Sequence, residues 1–147
     1  MATIAARSDA TTGTTTDDRL LRLAGLALLV GLLVHNGDHA RRGLAGVADG
    51  VVWAGTLAVA LAAVTLTLIA TRHPLAPSAA VAAGLSIAIG VSASHLLPAW
   101  GPISDPLADD HVGVVTWLAV SAEIGGALAL GLAGLAVLRR QGFAVRR

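Results

Sequence analysis

Four long apolar runs constrain the fold of this chain more than any other feature of its sequence. They begin near residues 20, 51, 78 and 112, and with their flanks each reaches the ~20 residues that a helix needs to cross a bilayer. Hydrophobic residues make up 55% of the chain and charged residues only 13%, which is far more apolar than a soluble domain. The sequence therefore predicts an all-α integral membrane protein, multi-pass in the cell membrane.

The apolar runs also divide the chain. One transmembrane domain is predicted over residues 19–140, with spans at about 19–40, 51–71, 78–97 and 112–138. Residues 1–18 are Thr-rich, lack apolar periodicity and are predicted to form a disordered tail, and residues 141–147 a basic cytoplasmic tail. Four spans that reverse direction in turn make an antiparallel four-helix bundle.

Arginine supplies all ten cationic residues and indicates the orientation. Eight of them fall on one side of the four-span arrangement: Arg7, Arg19, Arg22, Arg72, Arg139, Arg140, Arg146 and Arg147. The positive-inside rule makes that side cytoplasmic, so both termini are predicted to face the cytoplasm. Arg41 and Arg42 lie on the outer side against this bias, where they could neutralise acids or bind an anionic group.

A polar stretch at the end of the first span is the sharpest local signal. His35, Asp38 and His39 stand at positions i, i+3 and i+4, so a continuous helix places all three on one face. Two imidazoles one turn apart can bind one metal ion, although the same spacing also occurs in fortuitous interfacial pairs. The stretch is therefore a candidate metal site.

Each span carries one polar residue at a similar depth. Counted from the cytoplasmic ends, His35, Thr56, His95 and Glu123 each lie about 16 residues in, or roughly 24 Å along a helix. That depth is in the outer part of a ~30 Å hydrocarbon core. Four antiparallel helices would bring these residues into one layer, where Thr56 is expected to bond back to its own helix.

Glu123 is the carboxylate that most needs an explanation. It is the only acid inside an apolar run, and burying it alone would cost several kcal/mol unless it is paired or protonated. We interpret it as a metal ligand or a catalytic base. His95 could be another ligand, or could lie at the interface and be satisfied by Ser92 and Ser94.

Two further residues have open assignments. Asp38 could be a ligand, an acceptor that fixes the tautomer of a ligating imidazole, or a partner of Arg41 or Arg42, and it is the second candidate base. His111 precedes Glu123 by 12 residues, and it reaches the layer only if the chain bends near Gly113. The predicted catalytic residues are thus Glu123 and Asp38. The predicted metal ligands are His35, His39, His95, Glu123 and His111.

The chain has no cysteine, so the available ligands are nitrogen and oxygen atoms, which suit a transition metal ion such as Zn, Fe or Cu. Haem b is the alternative. His35 or His39 could bind its iron opposite His95, with Arg41 and Arg42 on the propionates, but only 3% of residues are aromatic.

Three functions fit these features. The first is a metalloenzyme, an oxidoreductase or a hydrolase, that acts on a lipid-soluble or extracytoplasmic substrate. The second is an electron-transfer protein that uses haem or a quinone, and the third is a metal-handling or accessory subunit of a larger membrane complex. The cytoplasmic half of the spans lacks ionisable residues, which disfavours a transporter, and the absence of a basic face disfavours nucleic acid.

Overall fold

The chain folds into four helices with no strand over the parts that the structure, a computed structural model, describes. These parts are the backbone of residues 2–43, 47–108 and 112–145 and the side chains of residues 15–43, 47–108 and 112–142. The helices are α1 (Ala2–Arg42), α2 (Asp49–Ala70), α3 (Ala76–His95) and α4 (Val114–Val145). This confirms the prediction of an all-α chain.

Each helix contains a segment that is long and apolar enough to cross a membrane. These segments are Thr15–Arg42, Asp49–Ala70, Ala76–His95 and Val114–Gly142. Each end of these segments lies within four residues of the corresponding end of a predicted span. The described helices therefore fit a multi-pass membrane protein.

The segments predicted as tails continue the first and last helices, α1 and α4. Residues 2–18 form the first part of α1, and residues 141–145 form the end of α4. The absence of apolar periodicity argues against packing of residues 1–18, but it does not prevent helix formation, since this stretch contains no proline. Asp17 and Asp18 also form ion pairs, with Arg140 at 3.0 Å and Arg72 at 3.1 Å, which link this part of α1 to α4 and to the turn after α2.

The helices pack antiparallel to their neighbours. Asp17, near the start of the apolar segment of α1, pairs with Arg140 near the end of α4, whereas His35 near the end of α1 meets Glu123 in the first third of α4. In α3, Gly84 lies against Ala127 and Gly131 of α4. The ends of α1 and α3 and the starts of α2 and α4 therefore share one end of the bundle.

Small residues allow α4 to lie close to α1 and α3. A Cβ atom on Gly126 would come within 2.6 Å of the Ala27 carbonyl oxygen, and one on Gly31 within 2.6 Å of the Ala122 carbonyl oxygen. Such distances leave no room for a side chain, as expected for helices that associate in lipid. By contrast, a Cβ on Gly90 or Gly125 would meet nothing within 4 Å.

Helix α2 is the least buried of the four. Only 17% of the residues in its most apolar stretch are buried, against 50% in α4. Its first turn is nevertheless fixed, because Gly50 lies against the backbone of Pro102 in the connection between α3 and α4. The bundle therefore has a tight core of three helices and a fourth helix that packs more loosely beside it.

The end of α1 is set by a glycine. Gly43 has a φ of 87°, in the left-handed region that glycine adopts without strain, and its N–H donates to the His39 carbonyl oxygen at 3.0 Å. Helix α1 therefore continues through His35, Asp38 and His39, which keeps these three residues on one helical face.

Candidate metal centre

Three imidazoles meet near the end of the bundle where α1 and α3 finish. His35 and His39 lie one turn apart on α1, and His95 is the last residue of α3. The ring centroid of His35 is 4.8 Å from that of His39 and 4.9 Å from that of His95, and the His39–His95 distance is 5.7 Å. The predicted convergence of α1 and α3 on one cluster is observed.

The spacing of the ligand atoms is close to that of a metal site. One nitrogen from each of the three histidines lies within 4.8 Å of the other two. Tetrahedral Zn–N bonds of ~2.0–2.1 Å imply N···N distances of about 3.4 Å, so modest side-chain rotations would close the site. His35 and His95 are buried and His39 is partly buried, which limits competition from water.

Glu123 holds His35 in a defined orientation. This carboxylate is 3% exposed and forms a hydrogen bond with the Nδ1 atom of His35. The other ring nitrogen, Nε2, is buried and has no hydrogen-bond partner among the described residues. When Nδ1–H donates to the carboxylate, Nε2 carries the lone pair that a metal ion requires.

His95 is oriented by the connection that follows α3. Its Nδ1 donates to the backbone carbonyl oxygen of Asp105 at 2.9 Å, which leaves its Nε2 as the free nitrogen. The connection is itself fixed on the helix end, since Asp105 N–H donates to Ser94 and Leu107 N–H donates to the His95 carbonyl. The role of Asp105 is not predictable from the sequence, because a backbone carbonyl acting across a loop leaves no spacing signal.

His39 is held less firmly than the other two. Its Nδ1 accepts a long hydrogen bond of 3.4 Å from Nη2 of Arg42. Binding of a metal at Nε2 would therefore require the ring proton to move to Nδ1, at the expense of this contact. Arg42 also lies 3.8 Å from the carboxylate of Asp105, so it links the end of α1 to the connection between α3 and α4.

Asp38 pairs with the two arginines that follow it. Its Oδ1 accepts from Arg41 Nη2 at 2.7 Å, and its Oδ2 lies 3.3 Å from Arg42 Nε. Of the three roles considered for Asp38, the described contacts are those of a partner of Arg41 and Arg42. These contacts also neutralise much of the charge that the two arginines would offer to haem propionates.

The remaining predicted residues have different outcomes. Thr56 donates its hydroxyl to the Val52 carbonyl at 2.8 Å, which confirms the expected bond to its own helix. His111 lies outside the described residues, so its membership of the site stays a prediction. Glu123 does belong to the site, where its described contact is with an imidazole.

A cavity of about 630 Å³ adjoins the histidines. It lies between α2 and the packed helices α1 and α3, and His35, His39, His95 and Glu123 line one end of it. The buried cluster is therefore accessible to a small molecule from the side of α2.

The chain matches no protein-family model, no curated protein sequence and no solved structure. Its four apolar helices and its cluster of His35, His39 and His95 fit a membrane metal-binding protein. Any more specific role is inferred from the site alone.

Proposed function

We propose that this protein is a membrane metalloprotein that binds one transition metal ion through His35, His39 and His95. The observation that carries the proposal is the state of His35. Its Nδ1 is held by a buried carboxylate, while its Nε2 is buried without a partner beside two other imidazoles. A buried, unpaired polar atom costs about 1–3 kcal/mol, which coordination of a metal ion would offset.

The ligand set favours a small ion over haem. Axial haem ligands approach iron from opposite faces of a flat macrocycle, whereas the three rings here cluster with all centroids within 5.7 Å. Arg41 and Arg42, the candidate partners of the propionates, already pair with Asp38. Three nitrogen ligands without sulfur suit Zn, Fe or Cu.

Three protein ligands leave a coordination position open, which is typical of catalytic rather than structural zinc sites. A metal ion bound there would supply Lewis acidity or an activated water. Glu123 would hold His35 in position by accepting a hydrogen bond from its Nδ1–H. We therefore favour a metal-dependent oxidoreductase or hydrolase, with the site in the outer half of the membrane as the arginine distribution predicts.

Metal analysis of the purified protein tests this proposal. We expect wild type in mild detergent to bind one Zn²⁺ or Co²⁺ per chain, and His35→Ala and His95→Ala to lose it. His73→Ala is the matched control, because His73 is exposed and lies in the turn between α2 and α3 at the other end of the bundle.

The expected Co²⁺ complex has the absorption of a tetrahedral site, and reconstitution with haem should give no Soret band that depends on His95. Wild type that binds no metal at micromolar concentration, or a His35→Ala variant that binds as well as wild type, would overturn the proposal.

A further inference from the structure

The cavity beside the histidines is long as well as large. Its wall on α2 extends from Val51 to Leu61, which corresponds to about 15 Å of helix. Its wall on α3 extends from Ser86 to His95. Its volume of about 630 Å³ lies within the ~300–1,000 Å³ range that is typical of small-molecule sites.

The ionisable groups of the cavity are concentrated at one end. His35, His39, His95 and Glu123 line the end near the last turns of α1 and α3. The remaining walls are mostly apolar, with Leu61, Ile87 and Val91 among them. The other polar side chains that line the cavity are those of Asn36, Thr56, Ser86 and Ser94, and the Thr56 hydroxyl is already bonded to its own helix. Such a cavity matches an elongated molecule with one polar end and an apolar chain.

We propose that the cavity binds a lipid-soluble molecule whose single polar head coordinates the metal ion and whose hydrocarbon chain lies between α2 and α3. This inference rests on the proposed metal site and names the class of its substrate. The loose packing of α2 leaves the cavity accessible from the bilayer, where such a molecule is dissolved.

Two glycines keep the cavity open. Gly55 on α2 and Gly90 on α3 both line it, and a Cβ on either would meet nothing within 4 Å. A leucine at either position would therefore project into space that the hydrocarbon chain is proposed to occupy. Leucine also favours helix more than glycine does, so neither substitution should weaken its helix.

Alkyl hydroxamates provide a direct test on the Co²⁺-loaded protein, because the hydroxamate head binds metals and the chain length can be varied. We expect dodecanohydroxamic acid to change the Co²⁺ absorption at a concentration about 100-fold lower than acetohydroxamic acid. Each buried methylene contributes about 0.8 kcal/mol, so this advantage requires burial of only part of the chain.

Cavity-filling variants distinguish binding of the alkyl chain in the cavity from its partition into the detergent. Gly55→Leu and Gly90→Leu should weaken dodecanohydroxamate binding at least 10-fold, with occupancy expressed per loaded Co²⁺. Gly125→Leu is the matched control, because Gly125 is exposed on α4, has nothing within 4 Å and does not line the cavity. Equal weakening in all three variants, or in none, would overturn the proposal.

Photolabelling tests the cavity without metal. A diazirine-bearing alkyl hydroxamate should label residues 51–61 and 86–95 in the metal-free protein, and Gly90→Leu should reduce this labelling. Labelling spread evenly over the lipid-facing sides of α1 and α4 would indicate bulk lipid contact only and would refute the cavity site. If Co²⁺ does not bind but the labelling is localised, the metal site fails and the cavity site stands.

Discussion

At the scale of single residues, the pairing of His35 with Glu123 explains why a carboxylate lies inside an apolar helix. An isolated buried carboxylate is strongly unfavourable, but here the acid accepts from an imidazole N–H. Such a pair can fix the tautomer of a candidate ligand. The described contact of Glu123 is with His35, and direct coordination of a metal ion by Glu123 stays a prediction.

Changing Glu123 to glutamine should weaken metal binding without abolishing it. The amide oxygen of Glu123→Gln can still accept from His35 Nδ1–H, but the negative charge that raises the basicity of the ring is lost. Loss of such an acceptor typically reduces metal affinity about 10- to 100-fold. Zn²⁺ competition against a chromophoric chelator measures the change, and affinity equal to that of wild type would contradict this role.

Asp38 should matter for stability rather than for metal stoichiometry. Asp38→Ala leaves the partly buried Arg42 and the more exposed Arg41 without their shared carboxylate. We expect the free energy of unfolding to fall by about 1–3 kcal/mol. Unfolding by SDS in mixed micelles measures the free energy of unfolding, and metal analysis measures the number of metal ions per chain.

Retention of one metal ion per chain in the folded Asp38→Ala variant is the expected outcome. Arg22→Ala provides the control, because Arg22 is exposed on the same helix and lies more than four turns closer to its N-terminus. A folded Asp38→Ala variant with no metal would instead make Asp38 part of the ligand shell.

At the scale of elements, adjacent glycines on α4 have very different surroundings. Gly126 lies against the backbone of Ala27 and Leu28 on α1, whereas Gly125 has open space around its Cα. Small residues in a transmembrane helix therefore mark a helix contact only when their face is turned toward a neighbour. Composition alone does not distinguish the two faces.

This pair of glycines gives a matched test of packing. Gly126→Val must push α1 away from α4, and overpacking of this kind typically costs about 1–3 kcal/mol. Gly125→Val introduces the same side chain on the same helix without a clash. SDS unfolding should therefore show a large loss for Gly126→Val and a small change for Gly125→Val, and equal losses would show that the described α1–α4 contact is wrong.

At the scale of the whole molecule, the absence of cysteine makes orientation easy to test. Gly101→Cys places a thiol in the exposed connection between α3 and α4, and Thr71→Cys places one in the exposed turn after α2. The arginine distribution predicts that the first is extracytoplasmic and the second cytoplasmic. A membrane-impermeant maleimide should label Gly101→Cys in intact cells and Thr71→Cys only after permeabilisation, and the reverse pattern would invert the topology.

Periodicity, run length and depth were enough to predict the four helices and the meeting of His35, His95 and Glu123, because a straight helix converts residue number directly into height. They did not predict the contacts that depend on rotation about a helix axis or on a loop. The support of His95 by the Asp105 carbonyl belongs to this second group. The pairing of Asp38 with Arg41 was one of the three roles that the spacing left open. The loose packing of α2 was also missed, although its most apolar stretch has a mean hydropathy of 2.1, against 1.6 to 1.7 in the other three helices.

The contact of Gly31 with α4 has a consequence for how the site tolerates sequence change. A Cβ on Gly31 would meet the backbone of Ala122 and Glu123, and His35 lies one turn further along the same face of α1. The absence of a side chain at Gly31 thus sets the distance between the axes of α1 and α4 close to the His35–Glu123 pair. Even one added methyl group there would slide His35 relative to Glu123, so selection on the chemistry of the site would also act on this chemically inert glycine.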